Sequence, residues 1–203
     1  MPSLRLPVSF ILLAVVCVAA AGCGDSPSAE LLLPVPHIGR GARYMLPPAG
    51  RAAARALPVG SLRCTRGSRR TFGSHLEIFA RRLDMVIPAG IGVAPPRVRD
   101  GAYVKGGRCQ YPARTLEPTG LIEVDVGRRV TLGQLFDLWG QPLSRRRLAG
   151  FRAARGDRVR AFVNGAQRNG DPRAIVLTRH AAIVLEVGGF FPPSRDYRFP
   201  AGL

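Results

Sequence analysis

The spacing of apolar residues along the chain reads as a succession of short strands with a single helix among them. Leu132, Leu135, Phe136 and Trp139 fall at i, i+3, i+4 and i+7, the spacing that aligns side chains on one face of a helix. Thr131 and Gln134 stand at capping-box distance ahead of that face, and Gly140 and Pro142 stop it. The predicted helix covers about 131–139. A helix of about nine residues does not persist alone in water, so its apolar stripe is expected to be buried on a sheet.

Residues 75–80 and 83–87 alternate and predict a hairpin joined at Arg81-Arg82. In 121–126, Ile122, Val124 and Val126 fall on one face and Glu123 and Asp125 on the other, which predicts a half-buried strand. The run 158–163 ends at Asn164-Gly165, a dipeptide suited to a tight hairpin turn, with a further strand before Asp171-Pro172. Residues 180–187 are nearly all apolar up to Gly188-Gly189, and such continuity predicts a central strand. Between these, 91–108 is dense in Gly and Pro and reads as a loop with a short strand at 102–105, and 175–177 reads as a short strand or turn. The tail 190–203, with Pro192, Pro193 and Pro200, is expected to run extended over the domain. The fold class is α+β and β-rich: an antiparallel sheet, small barrel or sandwich-like, with the short helix packed on it, as one globular domain over 63–203.

The first residues change the picture. Arg5 precedes an apolar run from Val8 to Ala20, and the small residues Ala20-Ala21-Gly22 lead into Cys23, the pattern of an export signal over 1–22. The apolar run, about thirteen residues, is shorter than the roughly twenty a spanning helix needs. The small residues before Cys23 resemble the lipobox of bacterial lipoproteins, with Ala20 where Leu is usual. That resemblance implies diacylation of Cys23 as the mature first residue; plain secretion by cleavage near Ala21 or Gly22 is the alternative. Residues 23–62, rich in Pro, Gly, Ala and Arg, read as a lipidated N-terminus and flexible tether of about 35 Å root-mean-square span. Within it, 51–57 has the composition of an interfacial helix.

A formal net charge of +17 would ordinarily point to nucleic acid, but an exported chain does not meet it. The expected partners are the membrane, through the anchor, and anionic lipid or wall polymer, through the Arg-rich tether at about 1 kcal/mol per Arg near a charged surface. Cys17 leaves with the signal and Cys23 is taken by lipid. Cys64 and Cys109 remain, and in an oxidising compartment they are expected to form a disulfide. Two thiols binding metal would want closer Cys or His neighbours.

The run from Cys109 through Tyr111, Arg114-Thr115-Leu116-Glu117, Gly120 and Glu123, continuing into Thr131-Leu-Gly-Gln-Leu-Phe-Asp-Leu-Trp-Gly140, resembles an uncharacterised family of bacterial exported proteins. So do His75-Leu76, Pro88-Ala-Gly90, Phe162-Val-Asn-Gly165, Asp171-Pro-Arg173 and Phe199-Pro-Ala-Gly-Leu203. The family pattern carries His-x-His-x-His-Leu at the first strand and Tyr-x-x-His-Thr-His-Asp-x-x-Gly-x-x-His before the helix, clusters suited to a transition metal. Here only His75 remains of the first cluster, with Thr71 and Gly73 at its other positions. Arg114, Leu116 and Glu123 stand where the second has His, and Glu117 stands for Asp. A cationic Arg and an apolar Leu cannot ligate a cation, so the family-type metal site is expected to be lost. The candidate pocket is His75, Arg114, Glu117 and Glu123, with Arg114 paired to Glu117 or Glu123, read either as a structural ion pair or as an Arg-centred anion pocket.

His37 and His180 have no sequence-near catalytic partner, no Ser sits in a nucleophile elbow, and the Gly-rich pieces lack phosphate-loop spacing. No catalytic residues, cofactor or metal are therefore assigned. The expectation is a lipid-anchored binding or envelope-associated domain without catalytic activity, on the extracytoplasmic face of the cell membrane. One alternative is a degenerate copper- or zinc-class metal domain using His75, Glu117 and Glu123. The other is a hydrolase acting on an acidic envelope polymer through a carboxylate pair.

Overall fold

The computed structural model describes residues 35–67, 69–193 and 197–203. The expected signal and Cys23 lie outside the described residues. The described part of the expected tether is not free, which corrects the boundary at 63. Asp84 N donates to His37 O at 2.9 Å and Gly39 N to Asp84 O at 2.8 Å. Further on, Trp139 Nε1 donates to Pro47 O at 2.9 Å and Gly50 N to Leu138 O at 2.9 Å. The single helical turn α1 (Arg51–Ala54) buries Ala53 against the core rather than lying in an interface. A Pro- and Gly-rich segment has no regular pattern of its own, yet its backbone groups find fixed partners on the body. One crossing depends on glycine: a Cβ on Gly140 would come within 2.4 Å of Gly50 Cα.

The strands follow in chain order. β1 (Thr71–Ala80) and β2 (Leu83–Asp84) form the expected hairpin, with Phe79 opposite Asp84. Arg81 and Arg82 make its turn at φ 55° and 66°, left-handed positions that twist a two-residue turn to match its strands but cost a non-glycine residue roughly 1–2 kcal/mol each. The Gly/Pro-rich stretch holds more structure than expected. β3 (Val93–Ala94) pairs with β6 (Cys109–Gln110), and β4 (Val98–Asp100) with β5 (Tyr103–Gly106). β7 (Ala113–Arg114) and β8 (Leu121–Asp125) return to the main sheet. After the helix α2 (Leu132–Trp139), β9 (Leu143–Ser144), β10 (Arg147–Leu148) and β11 (Phe151–Arg152) make a small meander. β12 (Arg160–Val163) and β13 (Ala166–Arg168) turn at Asn164-Gly165 as expected, and β14 (Ala182–Val187) closes the set.

The main sheet runs β13-β12-β14-β1-β8-β7, with β2 beside β1. It is mixed rather than purely antiparallel, because the central pair β1 and β14 is parallel, His75 standing opposite Ala182 and Ala80 opposite Val187. The sheets do not close into a barrel. Parallel pairing belongs with strands covered on both faces, and all six residues of β14 are buried.

Leu76, Ile78 and Ala80 of β1 join the main core with Ile122, Val124, Ile183 and Leu185, under Leu132, Leu135, Phe136 and Trp139 of α2. The helix has the expected capping box: Thr131 Oγ1 accepts from Gln134 N, Gln134 Oε1 accepts from Thr131 N, and Gly140 caps the end at φ 75°. The alternate residues of β1, from Thr71 to Phe79, face the other way. That second face is crossed by the C-terminal tail, with Phe191 stacked on Phe79 at 4.6 Å and Tyr197 on His75 at 3.7 Å between ring centres.

Candidate functional site

The second face carries the chemistry. Gly73 of β1 stands opposite Glu123 of β8, and Glu123 opposite Arg114 of β7, so one rung of the sheet brings a bare backbone position, a carboxylate and a guanidinium side by side. Arg114 is 5% exposed. Its Nη1 donates to Asp125 Oδ1 at 2.8 Å and its Nη2 to Glu123 Oε2 at 3.3 Å. Asp125, 2% exposed, also accepts from Arg69 Nη1 through Oδ2 at 3.0 Å. The expected pairing of Arg114 with Glu123 is present, but its shorter bond goes to Asp125. The alternation of 121–126 put Asp125 on an outward face; that face is covered here, while Val126, expected inside, is 50% exposed. The signal for Asp125 was its two-residue spacing from Glu123, which keeps both on the face that Arg114 reaches. Arg114 Nε is buried with no acceptor among the described residues.

Above this network lies an open cleft of about 600 Å³. Arg66, Arg69, Lys105, Arg108 and Arg114 line it, against the single carboxylate of Glu123. Lys105 is paired with Asp100 at 2.8 Å; Arg66 and Arg108 have no ion-pair partner among the described residues. Nothing local in the sequence joins these rim cations: Arg66 and Arg69 follow the expected tether of 23–62, and Lys105 and Arg108 lie in the Gly/Pro-rich stretch 91–108. The expected disulfide brings them together: Cys64 and Cys109 are joined with Cα atoms 5.5 Å apart. Beside it Thr65 and Gln110 exchange backbone bonds of 3.0 and 2.9 Å. The crosslink closes a loop whose restriction contributes about 4 kcal/mol in the entropic description. Arg66 and Arg108 flank it on the two banks.

His75 and Glu117 do not join this group. His75 is buried, donates from Nε2 to Thr119 O at 2.9 Å, and lines a separate cavity of about 430 Å³ with Glu77, Asp84 and Tyr197. Glu117 accepts from Thr119 Oγ1 at 3.0 Å and lines a smaller cavity of about 210 Å³, which Glu123 borders as well. Of the four candidates, Arg114 and Glu123 are thus brought together. No group of three His, Cys, Asp or Glu side chains among the described residues is placed to hold a metal ion, so His75, Glu117 and Glu123 do not assemble as ligands.

Burial holds the His75 imidazole below its ordinary value of 6.5, with the Thr119 carbonyl opposing. A lowered folded-state value means that the unfolded chain takes up a proton first as the pH falls. The contribution of neutral His75 is full above 6.5 and is lost as the pH drops from there through the folded value. Asp84 and Glu186 act in the opposite sense: burial raises both, Glu77 adding to the shift at Asp84, and their cost at neutral pH is relieved in acid. The urea midpoint is expected to change between pH 7.5 and 5.5 by a smaller destabilising amount in His75→Gln than in the parent. Parallel pH profiles for the two proteins would refute this assignment.

No helix among the described residues is long and apolar enough to cross a membrane. No protein-family model, curated protein or solved structure matches this chain.

Proposed function

We propose that this chain is a lipid-anchored, extracytoplasmic binding domain without catalytic activity, and that the cleft beside Arg114 takes an anionic ligand. The observation that carries the reading is the lining of that cleft: five cationic side chains from three stretches of chain, two of them without a carboxylate partner among the described residues. A cleft in which one sign predominates concentrates its field and draws counter-charge from a distance. Asp125 and Glu123 fix the Arg114 guanidinium in place, and the exposed arginines of the rim keep the freedom to adapt. The positions at which the resembled family pattern has histidines include Gly73, Arg114 and Glu123, which share one rung here. Replacing ligands for a cation by an arginine at that corner supports a switch to anions.

The export-type first residues and the Cys64–Cys109 crosslink support the location, since disulfides persist in oxidising compartments. Glu117 and Glu123, the acids that a carboxylate-pair hydrolase would draw on here, both have partners, Thr119 and Arg114 respectively, which favours binding over turnover. The test uses full-length protein made with its export signal in a bacterial host. The parent should fractionate with membranes and Cys23→Ser with soluble protein. The parent should bind inorganic polyphosphate in a salt-sensitive way, and Arg66→Gln/Arg108→Gln should weaken that binding about tenfold, the effect of losing roughly 1.4 kcal/mol. Unchanged binding in the double variant, or membrane retention without Cys23, would remove the corresponding half of the proposal.

A further inference from the structure

Resting on the anion reading, we infer that the cleft recognises a hydroxyl-bearing polyanion: a sugar or polyol chain that carries uronate or phosphodiester groups. The reason lies in the cleft's uncharged and negative lining. Glu123 stands in the same wall as the cations, with its Oε2 bonded to Arg114 and its Oε1 without a bond among the described residues. A carboxylate there repels a bare phosphate but accepts a hydrogen bond from a hydroxyl. Thr65, Thr71 and Gln110 also line the cleft, adding groups that both donate and accept. Forked guanidinium donors suit the acidic groups, and these neighbours suit the hydroxyls between them.

Size and composition narrow the class. A volume of about 600 Å³ is far more than one inorganic anion fills and lies in the range of sites for extended small molecules, roughly 300–1,000 Å³. Cations on both banks match charges repeated along a chain. Among the described residues the lining contains no aromatic ring, whereas proteins that hold single-stranded nucleic acid without sequence preference stack its bases on aromatic side chains. Charge and hydroxyl recognition, without stacking, is what remains.

The experiment is calorimetric titration of the full-length protein, at one ionic strength, with four probes of matched length: oligogalacturonate, oligo(glycerol phosphate), inorganic polyphosphate and a single-stranded DNA oligomer. One or both hydroxyl-bearing polyanions should bind at least about tenfold tighter than polyphosphate, and the stronger of the two tells uronate from phosphodiester. Glu123→Gln removes the repulsion while keeping a partner for Arg114, and should narrow that ratio severalfold by tightening polyphosphate. Thr71→Val should narrow it from the other side, by weakening the hydroxyl-bearing probes more than polyphosphate, which loses a donor but no acceptor. Polyphosphate binding as tightly as the others, with a ratio indifferent to both variants, overturns this ligand class and leaves the anion site standing. DNA binding more tightly than all three overturns it in favour of nucleic acid. No probe binding, or binding indifferent to Arg66→Gln/Arg108→Gln, defeats the anion reading itself.

Discussion

Asp125→Ala is expected to lower the stability of the domain by about 3–5 kcal/mol, the usual cost of leaving a buried charge without its partner. Asp125 is 2% exposed and bridges two arginines through its two oxygens. Arg69, with 40% of its side chain exposed, can turn to water when the carboxylate is gone; Arg114, with 7%, cannot. Glu123, at 3.3 Å, is then the one carboxylate left to the buried guanidinium, beside the Tyr111 carbonyl at 3.4 Å. Replacing both partners with apolar residues removes the buried guanidinium as well as the bond, and leaves Glu123, its side chain 18% exposed, to turn to the open cleft, so Arg114→Met/Asp125→Leu should recover part of the loss. Urea unfolding of the three proteins decides the matter. A double variant as weak as the single one would mean that the network's value lies in geometry rather than in charge compensation.

Trp139→Ala should cost a similar amount, about 3–5 kcal/mol for a large side chain removed from a packed core, and should also change how the chain is cut. Trp139 is fully buried at the end of α2, with its ring 5.5 Å from that of Phe136, and its Nε1 holds the Pro47 carbonyl. It is therefore both core and clasp for the segment 37–62. Trypsin should cleave after Arg51 and Arg55 in the alanine variant at concentrations the parent resists. Trp139→Phe keeps most of the packing but leaves the Pro47 oxygen without its donor, a loss nearer 1–2 kcal/mol. Identical digestion of parent and alanine variant would show that the segment is held by other contacts.

These two residues show what the sequence made legible. Trp139 was readable because every signal of its helix lies within a dozen neighbours: cap, stripe and stop. The Asn164-Gly165 turn is equally local, and the crosslink followed from counting cysteines. Asp125 was not readable as buried, since an acid alternating with valine on a strand looks the same whether the far face meets water or another layer. The docking of 37–62 and the parallel pairing of β1 with β14 depend on partners distant in sequence, for which no local pattern exists. Arg81 and Arg82 form a turn with left-handed angles that arginine gives no hint of adopting. At the site, Arg114 and Glu123 could be named in advance, whereas the rim of Arg66 and Arg108 exists only once the crosslink folds two loops together.

The middle of the sheet joins its earliest long strand to its latest, and a bond such as that from Ser74 to Ala181 spans 107 positions. Closing so large a loop precedes any reward from the pairing, a topology that folds slowly. As the chain emerges, β1 must wait with an unpaired edge until residues 182–187 have followed, and a waiting edge of this kind invites wrong partners. A helper that shields Leu76 and Ile78 over that interval should raise the folded yield more than any change to the final structure's contacts.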